Sequence, residues 1–331
     1  MTHFPELLRA ANLTLDQCNV QPHEQLVIYT DSEREVAVVE AFYAAAVAHG
    51  TDPVIVRALS RPAEGGPPAA AVAACKQADL LLDLASNTWS YNPAMREILE
   101  GGTRILQCLL PTQSLITRLP DARRSARLDR AMDLIRGGGS IHITDALGTD
   151  LHGERGNRRW HPQAGVVTQS GQYDLYGTCM VNCAPIEESV NGVVYLDGPM
   201  IMYGNPEYLF VLSQPVKIVV KEGRLTDIDT RPEDGRKIKR WAEQFDDPNV
   251  YLISHLGFGL HPQYDLNNFD LAAWESIEGG VLVAFGANDS TALGGSHSAK
   301  GHVDAILLHA TFEVDRIPLI VEGRPAPSLG S

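Results

Sequence analysis

Two histidines and one aspartate in the C-terminal part of this chain are the residue types of a metal site. His302 and Asp304 are separated by one residue, and His255 precedes them in the chain. In an extended segment, residues i and i+2 point to the same side, so His302 and Asp304 would share one face. Two imidazoles and one carboxylate can hold a divalent first-row metal and leave its other side open for substrate and O2. Ordinary hydrogen-bonded histidines would also explain a His-x-Asp step.

The segments around these three residues are rich in glycine. Residues 257–260 read Gly-Phe-Gly-Leu, and residues 294–296 read Gly-Gly-Ser. Glycine lets the backbone approach a metal or ligand closely and adopts positive φ at low cost. These segments therefore favour a ligand site, although hairpin turns would use glycine in the same way.

Length and composition indicate a two-domain globular protein that acts on a small molecule. The chain has 331 residues, of which 44% are hydrophobic and 21% are charged, and its formal net charge is −14. A single core rarely grows to this size. An acidic chain without a basic run argues against nucleic acid and anionic membranes as partners. No apolar stretch is long enough to predict a membrane span.

The cysteines are scattered and odd in number, which is typical of reduced thiols in a cytoplasmic protein. They are Cys18, Cys75, Cys108, Cys179 and Cys183. Cys179 and Cys183 stay open as alternative metal ligands, although no second cysteine pair accompanies them.

The pattern of residues 1–136 predicts an α/β domain of the Rossmann-like type. Short apolar runs alternate with helical patterns, as in a parallel sheet built from βαβ units. The first run is followed by Tyr-Thr-Asp-Ser-Glu at residues 29–33 instead of GxGxxG, which argues against a dinucleotide site. A glycine run from Gly137 to Gly139 marks the predicted boundary. Residues 140–331 predict an α+β domain that is mostly antiparallel and holds the metal site.

Several segments resemble the 2,5-dihydroxypyridine 5,6-dioxygenase family, which is itself related to the M29, aminopeptidase T-like metallopeptidases. The matching segments are residues 247–251, residues 253–260, Gly294-Gly295 leading to His302-Val303-Asp304, residues 102–106, and Pro185 through Glu187 to Gly192. The motif of His255 and that of His302 and Asp304 occur in the order that the family has. The resemblance covers most of the chain from about residue 78 onward and is looser before it.

The resemblance implies an M29-peptidase-like fold and a mononuclear non-haem Fe(II) site with one iron per chain. In that family the counterparts of His255, His302 and Asp304 hold the iron. The implied reaction opens an aromatic ring between two adjacent carbons and retains both atoms of O2. We also expect a homo-oligomer.

Met180 departs from the peptidase relatives. It stands where those peptidases carry a metal-binding glutamate, and a thioether cannot replace a carboxylate that bridges two hard divalent ions. The favoured interpretation is therefore an Fe(II)-dependent dioxygenase that cleaves a hydroxylated N-heteroaromatic such as 2,5-dihydroxypyridine. The alternatives are a metal-dependent hydrolase of a peptide or cyclic amide, and a non-catalytic small-molecule binding protein.

Tyr91 departs from the dioxygenase relatives, which carry a histidine in the corresponding loop. A phenol can donate or accept a proton, but its ordinary pKa of about 10 lies far from neutrality. We therefore expect either a catalytic Tyr91 in a changed proton path or a ring that only packs beside the cleft.

Five further side chains are candidates for roles around the substrate. Tyr173 and Tyr176 could form an aromatic wall for a planar ring, or pack in a core. Ser254 and Asn288 could position the substrate or a bound water molecule. Glu187 could orient a ligand histidine from outside the metal's own ligand set, or simply face solvent.

Overall fold

The computed structural model of the protein describes residues 3–62, 65–119, 121–202, 209–268, 271–289 and 293–330. Its contacts divide the chain into two compact units. Unit 1 comprises residues 1–122 and 163–178, and unit 2 comprises residues 123–162 and 179–331. Within the described ranges, no helix is both long and apolar enough to cross a membrane.

Unit 1 is built on a parallel sheet, here called sheet I. Its strands are β1 (Leu26–Asp31), β2 (Val54–Ala58), β3 (Leu80–Asp83), β4 (Arg104–Gln107) and β8 (Tyr173–Leu175), in the spatial order β2-β1-β3-β4-β8. Its helices are α1 (Phe4–Gln17), α2 (Val36–Ala48), α3 (Ala69–Cys75), α4 (Pro93–Glu100) and α5 (Thr112–Thr117). Strands β1, β3 and β4 are buried along their whole length, as is typical of parallel strands covered by helices. The predicted parallel sheet is confirmed.

The described part of unit 2 contains two largely antiparallel sheets. Sheet II has the spatial order β14 (Arg224–Ile228), β13 (Val216–Lys221), β10 (Ile186–Leu196), β6 (Asp150–Glu154), β5 (Ser140–Thr144), β18 (Thr311–Val314), β19 (Ile317–Val321) and β20 (Arg324–Pro325). Sheet III has the order β12 (Leu209–Val211), β11 (Pro199–Met202), β17 (His302–Leu307), β16 (Val281–Gly286), β15 (Ile253–Gly259), β9 (Met180–Cys183) and β7 (His161–Gln163). The helices are α6 (Ala122–Ile135), α7 (Glu233–Glu243) and α8 (Leu271–Glu275), and 3-10 turns occur at Pro248–Tyr251 and Pro327–Leu329.

A core of unit 2 lies between sheet II and one face of sheet III. Phe258 of β15 and Phe312 of β18 are fully buried, and their ring centroids are 5.1 Å apart. Alternate residues of a strand face opposite sides. Gly257 and Gly259 therefore lie on the face of sheet III that sheet II does not cover.

The division of the chain differs from a single boundary at the glycine run from Gly137 to Gly139. Helix α6 packs within unit 2, where Arg127 forms an ion pair with Glu278. Strand β8 belongs to unit 1 because it pairs in parallel with β4. The glycine run lies inside unit 2, between the end of α6 and the start of β5.

Candidate metal centre

Strand β17 begins at His302 and places His302 and Asp304 on one face of sheet III. The strand is antiparallel to β16, with His302 opposite Gly286 and Asp304 opposite Ala284. The two side chains lie on the same side because they are two residues apart in an extended strand. Both are buried, with exposures of 3% for His302 and 1% for Asp304. We call this side of sheet III the ligand face.

His255 reaches the ligand face through a β-bulge in β15. The register with β16 shifts between Ile253 and Leu256, where β15 has one residue more than its partner strand. A bulge bends its strand and changes the direction of a side chain. At this bulge, Nε2 of His255 lies 2.9 Å from Oδ1 of Asp304.

Small residues on β16 leave space between the two strands that bear the ligands. Ala284 offers only a methyl group beside Asp304, and Gly286 offers no side chain beside His302. Gly286 has φ +98°, and a Cβ atom there would lie 2.1 Å from the carbonyl oxygen of Gly301. Only glycine fits this position. Side chains from β15 and β17 can therefore meet above β16.

The donor atoms of His255, His302 and Asp304 converge in a buried space. Nε2 of His302 lies 3.2 Å from Oδ2 of Asp304, and one donor atom from each residue lies within 4.8 Å of the others. Among the described residues, Nδ1 of His255 and Oδ1 of Asp304 are buried without a hydrogen-bond partner, despite the short approach of Oδ1 to Nε2 of His255. Buried polar atoms are nearly always satisfied. A cation bound by the three side chains fits this unsatisfied carboxylate oxygen.

The proton arrangement of His302 also fits a cation. Its Nδ1 lies 2.9 Å from the carbonyl oxygen of Ala287, to which it can only donate. In a neutral ring Nε2 then has a lone pair, and this atom faces a carboxylate oxygen of Asp304. Two acceptors repel each other unless a proton or a metal ion lies between them. The same Ala287 carbonyl oxygen also accepts a hydrogen bond from Oγ of Ser254 at 2.6 Å. This second hydrogen bond further fixes the position of the carbonyl oxygen.

Burial and neighbouring charges favour the metal-binding protonation states. Burial alone would raise the pKa of Asp304, but the imidazoles of His302 and His255 hold that pKa well below its ordinary value. Burial lowers the pKa of His255, against the opposing attraction of Asp304. Metal ions bind the carboxylate and the neutral imidazole, which are the forms that these shifts favour.

Glu187 contacts the loop that follows β16. Its Oε1 accepts hydrogen bonds from Nδ2 of Asn288 at 2.6 Å and from Oγ of Ser296 at 3.0 Å, and its Oε2 accepts one from Arg158 at 2.7 Å. Oδ1 of Asn288 in turn accepts from the backbone N–H of His297 at 3.0 Å. Burial would raise the pKa of Glu187, but hydrogen bonds from His297, Arg158 and Asn288 hold it well below its ordinary value. Glu187 and Asn288 thus connect Ser296 and the backbone of His297 to the segment that directly follows β16.

Met180 lies on the ligand face but belongs to an apolar cluster. It pairs with Gly259 of β15 and is 3% exposed. The buried members of the cluster are Met180, Ile201, Tyr264, Ala273, Trp274, Ile277, Leu282 and Ile306. The thioether at this position supplies no carboxylate for a second hard cation.

Two polar residues near the ligands were missed by the sequence analysis. Asn182 of β9 pairs with Gly257 and so lies on the ligand face. His161 of β7 has a pKa lowered to about 4, chiefly by burial and further by the charge of His255. Among the described residues, its buried Nε2 has no hydrogen-bond partner. Neither residue belongs to a sequence motif. The pairing of β9 with β15 reveals Asn182, and the electrostatic interaction with His255 reveals His161.

The predicted residues Tyr91, Tyr173 and Tyr176 all lie in unit 1. Tyr173 donates its hydroxyl proton to Oε1 of Gln107 at 2.8 Å. Tyr176 is fully buried, and its hydroxyl donates to the carbonyl oxygen of Leu115 at 2.9 Å. Tyr91 is half-buried in the turn before α4. Roles of these tyrosines towards a substrate stay predictions.

The comparison with protein families covers nearly the whole chain. The family described as NicX, 2,5-dihydroxypyridine 5,6-dioxygenase, matches residues 6–327. The protein belongs to the 2,5-dihydroxypyridine 5,6-dioxygenase family. The family resemblance predicted from the motifs is therefore confirmed, and the match includes His255, His302 and Asp304. One relative is the 2,5-dihydroxypyridine 5,6-dioxygenase of Pseudomonas putida strain KT2440, with 26% identity over 262 residues that cover 77% of this chain and 73% of the relative.

Two solved structures share the fold of this family member. The 2,5-dihydroxypyridine dioxygenase from Pseudomonas putida KT2440 superposes with a TM-score of 0.87 and 22% identity, covering 98% of both chains. Wild-type AmpT from Thermus thermophilus superposes with a TM-score of 0.68 and 17% identity, covering 97% of this chain and 99% of that chain. At these identities the likeness establishes the fold.

Proposed function

We propose that this family member is an Fe(II)-dependent dioxygenase that opens the ring of a hydroxylated N-heteroaromatic, with 2,5-dihydroxypyridine as its expected substrate. The observation that supports this most strongly is the buried convergence of His255, His302 and Asp304 on one face of sheet III. The substrate follows from the family and from the relative that is named for cleavage of 2,5-dihydroxypyridine between carbons 5 and 6.

The donor set suits Fe(II). Two neutral imidazoles and one carboxylate on one side of the ion leave its other side open. When bound, the iron supplies neighbouring coordination positions for a ring hydroxyl group and O2 and lowers the pKa of that hydroxyl. A single carboxylate leaves a positive charge at the centre, which attracts a deprotonated substrate.

The residues of the chain bind and orient the reacting groups. The Ala287 carbonyl, itself hydrogen-bonded by Ser254, holds His302 in the tautomer that turns the Nε2 lone pair towards Asp304. Ala284 and Gly286 keep the space between the ligand strands open. The proposed reaction consumes one O2 for each ring opened and places both oxygen atoms in the product. It therefore needs no external reductant.

Oxygen uptake after anaerobic loading with Fe(II) tests the proposal against its alternatives. A panel of hydroxypyridines and a panel of peptides and cyclic amides should be offered to the same preparation. We expect O2 uptake with 2,5-dihydroxypyridine at one O2 per ring. Hydrolysis of an amide without O2 would support a metal-dependent hydrolase, and binding without turnover would support a small-molecule binding protein. Either outcome would contradict the dioxygenase.

Paired histidine variants link the activity to the centre. His302→Ala removes a proposed ligand, whereas His309→Ala removes an exposed histidine just beyond the end of β17. Losing a group that merely supports a ligand costs about 10–100-fold in metal affinity or activity, so losing the ligand itself should cost more. We expect His302→Ala to lose most of its iron and turnover and His309→Ala to keep both. Metal analysis and O2 uptake on both variants give the answer.

A further inference from the structure

Sheet II carries another cluster of metal-binding side chains, formed by His142, Asp150 and His152. His142 of β5 lies directly opposite His152 of β6, and Asp150 is two residues before His152 on the same strand. Cross-strand partners and i, i+2 neighbours project from the same face of a sheet. Within the described ranges, this cluster and the candidate metal centre are the groups of at least three His, Cys, Asp or Glu whose donor atoms lie close enough to share an ion.

The donor atoms of this surface cluster lie close enough together to bind one ion. Nε2 of His142 and Nε2 of His152 each lie 2.9 Å from Oδ1 of Asp150. The two imidazole rings stack, with centroids 4.0 Å apart and planes inclined by 12°. Two protonated rings at this separation would repel each other. A bound cation uses both rings in their neutral form, which removes that repulsion.

The carboxylates of Glu313 and Asp150 favour the binding of a cation by the cluster. Glu313 of β18 pairs with His142, and its Oε2 lies 3.9 Å from Nδ1 of that ring. A carboxylate beside Nδ1 favours the tautomer that keeps its proton there and leaves Nε2 as the ligand atom. An aspartate carboxylate such as that of Asp150 is ionised at neutral pH, because its ordinary pKa is about 3.9.

The cluster is accessible from solvent. The exposed fractions of the side chains are 34% for His142, 58% for His152 and 67% for Asp150. An ion can therefore enter without opening the fold, and it can keep water molecules at its other coordination positions. The backbone positions of all three ligands are fixed by the pairing of β5 with β6, so little order has to be created on binding.

We propose that His142, Asp150 and His152 form a second, solvent-exposed site for a divalent transition-metal ion, with Glu313 as a positioning residue. Imidazole donors select Cu²⁺, Ni²⁺ and Zn²⁺ over Mg²⁺ and Ca²⁺. Fe(II) binds the same donors more weakly than Ni²⁺ or Cu²⁺. Ni²⁺ would also favour the buried centre, which has the same donor types, so iron content has to be followed whenever Ni²⁺ is added.

Calorimetric titration of the iron-loaded protein with Ni²⁺ tests this site, with iron content measured before and after. We expect one Ni²⁺ to bind per chain without loss of iron. His142→Ala and His152→Ala should each weaken that binding by more than about 100-fold, and Glu313→Gln by about 10–100-fold, the range for a supporting partner. Iron-dependent O2 uptake by His152→Ala should equal that of the parent.

A matched control tests whether Ni²⁺ binding needs all three side chains of the cluster or only a histidine beside an aspartate. Nε2 of His49 lies 3.0 Å from Oδ1 of Asp16, and among the described residues this pair belongs to no larger group of metal-binding side chains. His49→Ala should leave Ni²⁺ binding unchanged. Iron-free His302→Ala should still bind Ni²⁺ at the surface, so the test does not depend on the iron proposal. Absence of Ni²⁺ binding, binding only with displacement of iron, or full binding by His142→Ala and His152→Ala would overturn the surface site.

Discussion

Ala284 and Asp304 lie directly opposite each other on the antiparallel strands β16 and β17. The proposed metal-binding carboxylate therefore has only a methyl group beside it on β16. Ala284→Leu should fill the space in which the ligands converge and strip most of the metal. The matched control is Ala305→Leu, because Ala305 is equally buried but points to the opposite face of the same sheet. Both variants should lose about 1–3 kcal/mol of stability through overpacking. Metal analysis should show loss in Ala284→Leu alone, and equal occupancy in both would disprove this role for the ligand face.

Glu187→Gln should weaken metal binding although Glu187 is not one of the three proposed ligands. Its ionised carboxylate holds Asn288 and Ser296 in the loop that leads to His302. A neutral amide weakens these charge-assisted hydrogen bonds. We expect metal affinity to fall by about 10-fold or more, as for other groups that support a metal ligand. Glu188→Gln is the control, since Glu188 is exposed on the same strand. Equal metal affinities of the two variants would limit Glu187 to a role in the fold.

Tyr91→Phe distinguishes a catalytic phenol from a ring that only packs. If the hydroxyl donates or accepts a proton in the reaction, its loss should slow turnover by about 10²–10⁴-fold with much less effect on substrate binding. If the ring only packs, the change should be nearly silent because phenylalanine keeps the aromatic surface. Steady-state kinetics with the substrate of the parent decide the matter. A rate within about threefold of the parent would remove Tyr91 from the catalytic residues.

The buried carboxyl of Asp83 predicts a pH-dependent stability of unit 1. Asp83 is fully buried at the end of β3, where burial raises its pKa to about 6 despite a hydrogen bond from Nε2 of Gln107. The folded protein therefore binds this proton more tightly than the unfolded chain, and Asp83 lowers the free energy of unfolding as the pH rises from about 4 to about 6. Two pH units correspond to about 3 kcal/mol.

Asp83→Asn removes this titration. The free energy of unfolding of the variant, measured relative to the parent by urea titration, should rise by about 2–3 kcal/mol between pH 4 and pH 7. The lost hydrogen bond to Gln107 changes the free energy of unfolding of the variant by a similar amount at every pH. It therefore does not alter how the difference from the parent depends on pH. A difference that stays constant with pH would show that Asp83 is ionised in the folded protein throughout this range.

The sequence predicted some of these features because they depend on local spacing. Residues i and i+2 share a face in any strand, so the relation of His302 to Asp304 needed only an extended segment. The approach of His255 depends on a register shift between β15 and β16, and no local pattern encodes such a shift. The aromatic residue types of Tyr173 and Tyr176 do not disclose the partners of their hydroxyl groups. The fully buried Tyr176 illustrates that limit, since its hydroxyl bonds to the backbone of Leu115.

The origin of the oxygen atoms in the product tests the central claim most directly. Iron-loaded protein should be supplied with ¹⁸O2 and 2,5-dihydroxypyridine in ordinary water, and the ring-opened product analysed by mass spectrometry. A ring-cleaving dioxygenase predicts that both atoms of ¹⁸O2 appear in the product, and that His302→Ala forms none of it. Ring opening with oxygen taken only from water would contradict the account, because it would identify a hydrolase at His255, His302 and Asp304.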